Sequence, residues 1–203
     1  MKKLLGTLAA LVLLAAAYLL LWPVPIVPVA FTLAAAPGYV GVHATNTKLA
    51  KLQLIDLHGE VGPEHIAFGP DGKLYTTVAS GNILRMNADG SAQQVFANTG
   101  GRVLGFDFDA KGNLIAADAV KGLLSIAPDG KTTTVLTDTI GGDPIRYADA
   151  VVVAKNGKMY FSDASMRFAP KDWGGTFEAS VLDIIEGAST GRILEYDPAT
   201  QAT

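Results

Sequence analysis

Three glycines act as a ruler along this chain. Gly72, Gly112 and Gly157 each close a turn between two apolar runs, and they stand about 40 and 45 residues apart. The runs are Ile66–Phe68 and Leu74–Val78, then Leu104–Phe108 and Leu114–Ala117, then Ala150–Val153 and Met159–Ser162. Asp-Gly or Asn-Gly between such runs signals a hairpin, and the type I′ turn expected there needs φ > 0. A second hairpin follows each time, with Asn82–Asn87, Lys121–Ile126 and Arg192–Tyr196 as first strands and with Asp89-Gly90 and Asp129-Gly130 as turns. Four strands per roughly 40–50 residues is the period of a β-propeller blade. The spacing therefore predicts an all-β fold over residues 50–203, with two whole blades and most of a third. Lys51–Leu57 reads as one more strand, able to complete the closing blade. Propellers close with about 4–8 blades, and an open half-ring leaves apolar strand edges uncovered. The expectation is either self-association or a chain that is a piece of a longer protein.

The first 22 residues follow a different rule. Met1-Lys2-Lys3 precedes 19 uncharged residues, Leu4–Trp22. That is the length of a membrane-spanning helix, about 17–25 residues, and longer than the usual signal-peptide core. Ala15-Ala16-Ala17 and Ala34-Ala35-Ala36 resemble cleavage sites, but apolar residues continue past the first and Pro37 follows the second. The expectation is a single-pass anchor buried in the bilayer through residues 4–22. With Lys2 and Lys3 as its flanking cations, its N-terminus lies in the cytoplasm and the propeller outside it. Pro23, Pro25, Pro28 and Pro37 make residues 23–49 an extended spacer.

The ruler also sorts the carboxylates. Eight residues before each turn glycine stand Glu64, Leu104 and Asp149, each opening the innermost strand of its blade. These strand starts converge at one end of a propeller's central channel. Two carboxylates there repel one another and lose solvation unless something positive lies between them. Either a hard cation such as Ca²⁺ answers that need, with about 6–8 oxygen ligands drawn partly from other blades, or both carboxylates accept backbone N–H groups at the channel mouth. Six residues after each glycine stand Val78, Asp118 and Asp163, read as turn and backbone acceptors at the ends of second strands. The third blade carries an insertion, Ala164–Thr190, which leaves from the same face. Its Phe177, Val181, Leu182, Ile184 and Ile185 suit a short amphipathic helix, serving as a lid or packing on a neighbouring blade or the membrane surface.

Other chemistries find little support. With 16 Lys+Arg against 19 Asp+Glu and a net charge of −3 there is no basic excess for nucleic acid. The chain has no cysteine, which excludes disulfides, thiolate metal sites and a cysteine nucleophile. His43, His58 and His65 show no metal-ligand spacing, and alternation along a strand turns His65 away from the Glu64 face. No nucleophile-elbow, Walker A or dinucleotide motif is present.

Six segments occur in order: Gly62–Phe68, Gly101–Gly105, Ala117–Ala119 with Gly122–Leu124, Arg146–Asp149, Tyr160–Ser165 and Gly191–Pro198. Together they resemble the strictosidine synthase-like family, which includes the adipocyte plasma membrane-associated protein. This family sits within the gluconolactonase, SMP-30 and paraoxonase superfamily of six-bladed propellers. The resemblance covers about residues 50–203 and implies that about three of six blades are present. It further implies a channel Ca²⁺ with Glu64 and Asp149 among its ligands and the remaining ligands in later blades. Hydrolase members use that metal on a lactone or aryl ester carbonyl. Strictosidine synthases instead condense an amine with an aldehyde through a later-blade glutamate and carry a cysteine pair that this chain lacks. The expected function is an anchored, Ca²⁺-dependent hydrolase of small-molecule esters or lactones, with its catalytic residues unassigned. The alternatives are a non-catalytic binding propeller and a synthase-type condensing enzyme.

Overall fold

The computed structural model describes residues 2–203. Helix α1 (Lys2–Leu21) is apolar along Leu4–Leu21, and none of its span Lys3–Leu21 is buried among the described residues. At about 1.5 Å per residue its 20 residues reach about 30 Å, enough to cross a hydrocarbon core. Tyr18 and Trp22 stack at its far end with ring centroids 5.2 Å apart.

The repeat folds as three consecutive antiparallel sheets. The first is β1 (Ile66–Phe68), β2 (Leu74–Thr77), β3 (Asn82–Met86) and β4 (Gln94–Asn98), paired in that order. The second is β5 (Val103–Phe108), β6 (Leu114–Asp118), β7 (Gly122–Ile126) and β8 (Thr133–Thr137), again a meander. A two-residue pair, β9 (Thr139–Ile140) with β10 (Asp143–Pro144), leads to the third sheet. That sheet holds β11 (Ala148–Val153), β12 (Met159–Asp163) and β13 (Arg192–Tyr196), with helix α2 (Thr176–Glu186) inserted between the last two strands. These are blades of a propeller, as the glycine spacing predicted.

Two expectations need correction. The turns are not type I′. At Gly72, Gly90, Gly130 and Gly157 the glycine alone is left-handed, with φ between 72° and 84°. The residue before it stays right-handed because its side-chain oxygen accepts the N–H two positions on: Asp71 from Lys73, Asp89 from Ser91, Asp129 from Lys131 and Asn156 from Lys158. This is a type I turn closed by a glycine, with Pro70 and Asp71 at its centre in the first blade. Second, Lys51–Leu57 is not a strand. It crosses blade 1 as irregular chain, with Ile55 laid over Gly90 and Leu57 packed against the Val78, Leu84 and Met86 cluster.

The core lies between blades. Tyr75, Ile83 and Ala97 of blade 1 meet Val103, Phe106, Leu114, Ala116, Leu124 and Ile126 of blade 2. Tyr75 stands edge-on to Phe96 and Phe108, 5.2 Å from each, contacts worth about 0.5–1.5 kcal/mol per pair beyond area burial. Blades 2 and 3 close similarly around Ile115, Ala117, Leu123, Val151, Met159, Phe161 and Leu194. The innermost strands approach backbone to backbone: a Cβ added at Gly105 would lie 2.5 Å from the Asp149 carbonyl oxygen. The outer faces of the end blades stay open, with Ile66, Phe68, Val152 and Ile193 all exposed.

The segment after α1 lacks strands and is broken by a 3-10 turn at Gly41–His43, and its first part is held. Glu186, buried at the end of α2, accepts Val29 N–H at its carbonyl (2.7 Å) and Val27 N–H at Oε1 (3.3 Å). Arg167 pairs with the same carboxylate and donates to the Pro25 carbonyl at 2.8 Å.

Candidate functional site

Blades 2 and 3 each carry a β-bulge at the start of the innermost strand, between Val103 and Gly105 and between Ala148 and Val151. A bulge re-aims the side chains it contains. Leu104 and Asp149 sit in these bulges. Blade 1 reaches the same place without one, since Glu64 precedes β1, its N–H held by the Thr77 carbonyl at 3.1 Å. The result is a cavity of about 300 Å³ lined by Glu64, Arg102, Leu104, Tyr147, Asp149, Thr176, Phe177 and Ser180. All three residues eight positions before a turn glycine thus meet in one place, roofed by the first turns of α2.

The cavity is unevenly charged. Burial, and then the neighbouring charge of Glu64, push the Asp149 carboxyl above the ordinary carboxylate value. Glu64 is half exposed, and Arg102 Nη2 lies 3.6 Å from its Oε2. That guanidinium also donates to the Gly62 carbonyl at 2.8 Å, while its Nη1 is buried with no partner among the described residues. The Tyr147 hydroxyl donates to the Thr176 carbonyl (2.9 Å), shares a hydrogen bond with Ser180 Oγ (2.8 Å) and so ties α2 to the channel wall. Burial raises its pKa.

Asp118 and Asp163 are wholly buried and act as backbone acceptors, as expected from their register. Asp118 accepts N–H groups from Arg102, Val120 and Lys121 and the Thr99 hydroxyl. Asp163 accepts those of Arg146 and Tyr147 and pairs with Arg192 at 3.0 Å. Each therefore pins the backbone of a cavity residue, Arg102 in blade 2 and Tyr147 in blade 3. His65 lies edge-on to Phe106, with centroids 4.7 Å apart, and does not line the cavity.

Arg102 and Tyr147 escaped the sequence reading, although the same ruler contains them. Both stand ten residues before their turn glycine, and the blade 1 counterpart is Gly62. Gly62 takes a left-handed φ of 62°, and its carbonyl accepts the Arg102 guanidinium.

The donor set suits a hard cation in kind: two carboxylates, no thiolate, no imidazole. In number it is short. Among the described residues no group of three or more His, Cys, Asp or Glu side chains is arranged to hold a metal.

Comparison with known proteins agrees with this architecture. A family model described as strictosidine synthase-like, N-terminal, matches residues 41–86, and one described as strictosidine synthase matches residues 149–203. Protein strictosidine synthase-like 4 of Arabidopsis thaliana is 42% identical over 146 residues, covering 70% of this chain and 38% of that protein. The adipocyte plasma membrane-associated protein of Gallus gallus is 32% identical over 193 residues, covering 87% of this chain and 44% of its own length. The chain thus spans less than half the length of these relatives. A solved structure described as a candidate gluconolactonase superposes with a TM-score of 0.54 at 16% identity, over 70% of this chain and 47% of that one, a likeness of fold. By its sequence, this chain belongs to the strictosidine synthase-like family.

Proposed function

We propose that Glu64 and Asp149 are two oxygen ligands of a Ca²⁺ site at the channel mouth of a membrane-anchored hydrolase acting on small-molecule esters or lactones. The observation that carries this reading is the convergence of the two carboxylates on one cavity, where burial first and the charge of Glu64 second raise the pKa of Asp149. A divalent cation relieves that repulsion, and its remaining ligands would come from blades that complete the ring. When bound, such a metal polarises a carbonyl oxygen. This chain's own part is to hold the two carboxylates, to place the Arg102 guanidinium beside Glu64 in the cavity wall, and to roof the site with α2. The apolar α1 supports anchoring, with the N-terminus in the cytoplasm and the blades on the far side.

Calcium titration of the ring-complete protein followed by thermal unfolding tests the site: Ca²⁺ should raise the melting temperature of the wild type and not that of a Glu64→Gln, Asp149→Asn double variant. Hydrolysis of an aryl acetate and a lactone, with and without chelator, tests the reaction in the ring-complete protein. No turnover of either class with Ca²⁺ present would sink the hydrolase reading. One observation favours a second reading. Arg102 already neutralises part of Glu64, so the mouth can serve as a polar binding surface without metal. In that case the double variant would change neither calcium response nor turnover.

A further inference from the structure

Helix α2 wears its apolar stripe on the outside. Phe177, Val181, Ile184 and Ile185 stand at i, i+4, i+7 and i+8, one face of a helix. An amphipathic surface helix normally turns that face to the core. Here Phe177 is 75% exposed, Ile184 73% and Ile185 55%, while Ala179 and Glu186 face inward. The helix is not free to roll over. Tyr147 holds its first turn, Ser165 donates to Asp183 at 2.8 Å, and Arg167 pairs with Glu186 at its end.

We propose that this outward stripe lies in the lipid interface beside α1, turning the channel mouth toward the bilayer. This rests on the reading of α1 as a membrane anchor. The tether sets the distance. Pro25, whose carbonyl is held by Arg167 next to α2, comes only four positions after Leu21, the end of α1. Four extended residues span at most about 14 Å. The interfacial layer of a bilayer is about 5–8 Å thick on each side, so α2 cannot sit far above it. The apolar patch continues onto that tether: the Phe31 ring approaches Gly187, just past α2, and Phe31 and Val29 are themselves exposed. Charges around the helix are mixed, with Glu178 and Asp172 against Arg167 and Lys171. Binding therefore comes from burial of apolar side chains about 5–10 Å into the headgroup boundary, and salt should not reverse it.

The absence of cysteine makes the test direct. Single variants Ile184→Cys, Phe177→Cys, Tyr18→Cys and Asn156→Cys of the full chain are labelled with an environment-sensitive fluorophore and reconstituted in phosphatidylcholine vesicles containing a doxyl-lipid quencher. All four positions are exposed, and the one side-chain hydrogen bond given up at position 156, from Lys158 N–H, lies within its turn. The probes at 18, 177 and 184 should emit at shorter wavelength and be quenched, in low and high salt alike. The probe at 156, on the turn between β11 and β12, should show neither effect. Quenching at 18 without quenching at 177 and 184 overturns the proposal and leaves the anchor intact. A blue shift at 184 without lipid quenching means that protein, a second copy or another blade, covers the stripe, which also overturns it. No quenching at 18 removes the anchor and the proposal together.

Discussion

Gly105→Ala is the sharpest probe of how the blades create the site. Gly105 lies in β5, where a glycine ordinarily weakens a strand, and its φ is not left-handed. Its reason is contact. The added methyl would lie 2.5 Å from Asp149 O, 2.8 Å from Ala150 Cα and 3.2 Å from Val151 N. All three are backbone atoms of β11, so no side chain can swing aside; blades 2 and 3 must move apart by most of an ångström. Overpacking costs typically about 1–3 kcal/mol, and a backbone obstacle places this case near about 3. For a chain of this size each kcal/mol lowers the melting temperature by about 2–4 °C, which gives a fall of roughly 6–12 °C. Circular dichroism of the full chain in detergent reads it. The same shift displaces the bulge that aims Asp149, so in the ring-complete protein the calcium-dependent rise in melting temperature should shrink as well. A melting temperature within about 2 °C of wild type would show that the two innermost strands are not in backbone contact, and the account of how Asp149 is placed would fall.

Three further outcomes follow from the same geometry. Asp149 has its pKa raised in the folded state by burial and then by Glu64, so the folded protein holds that proton more tightly than the unfolded chain. In chelator, stability is thus undiminished below the ordinary value of 3.8 and is lost as pH rises through it toward the raised value. Asp149→Asn should then melt higher than wild type at pH 7 and no higher at pH 3; an Asn variant less stable at pH 7 refutes the shift. Asp118→Ala deprives the Arg102 and Val120 N–H groups of their acceptor, while that of Lys121 keeps the Asp118 carbonyl; at about 1–3 kcal/mol for each group that remains unsatisfied, it should lower the melting temperature more than Glu64→Gln does. Tyr147→Phe removes the hydroxyl that holds Thr176 and Ser180, costing about 1 kcal/mol, and should speed amide exchange across residues 164–190 while leaving β5–β8 unchanged. Uniform exchange in both regions would mean that α2 is held elsewhere.

What was legible in the sequence was whatever repeats. Turn glycines recur because only glycine takes the left-handed corner cheaply, so the blades, the strand starts and the pairing of Glu64 with Asp149 in one cavity could all be counted out along the chain. The misreadings arose where a local pattern has two structural solutions. Lys51–Leu57 has the apolar spacing of a strand, but a strand needs a ladder, and the Asp56 side chain instead captures the His58 N–H and ends the segment in a turn. The Asp-Gly pairs are compatible with type I′ turns, but the Asx hydrogen bond stabilises the right-handed alternative. Arg102 and Tyr147 were within reach of the ruler and differ from Glu64 and Asp149 in one respect: their side chains are unlike one another, so no chemical repetition marks the position. Their common feature is beneath them, in Asp118 and Asp163, which fall at one register and accept the N–H groups of those two residues. The repeat therefore specifies the scaffold that holds a site residue more plainly than the residue itself. That is the expected order in a propeller, where each blade must satisfy the same backbone while contributing a different group to one channel.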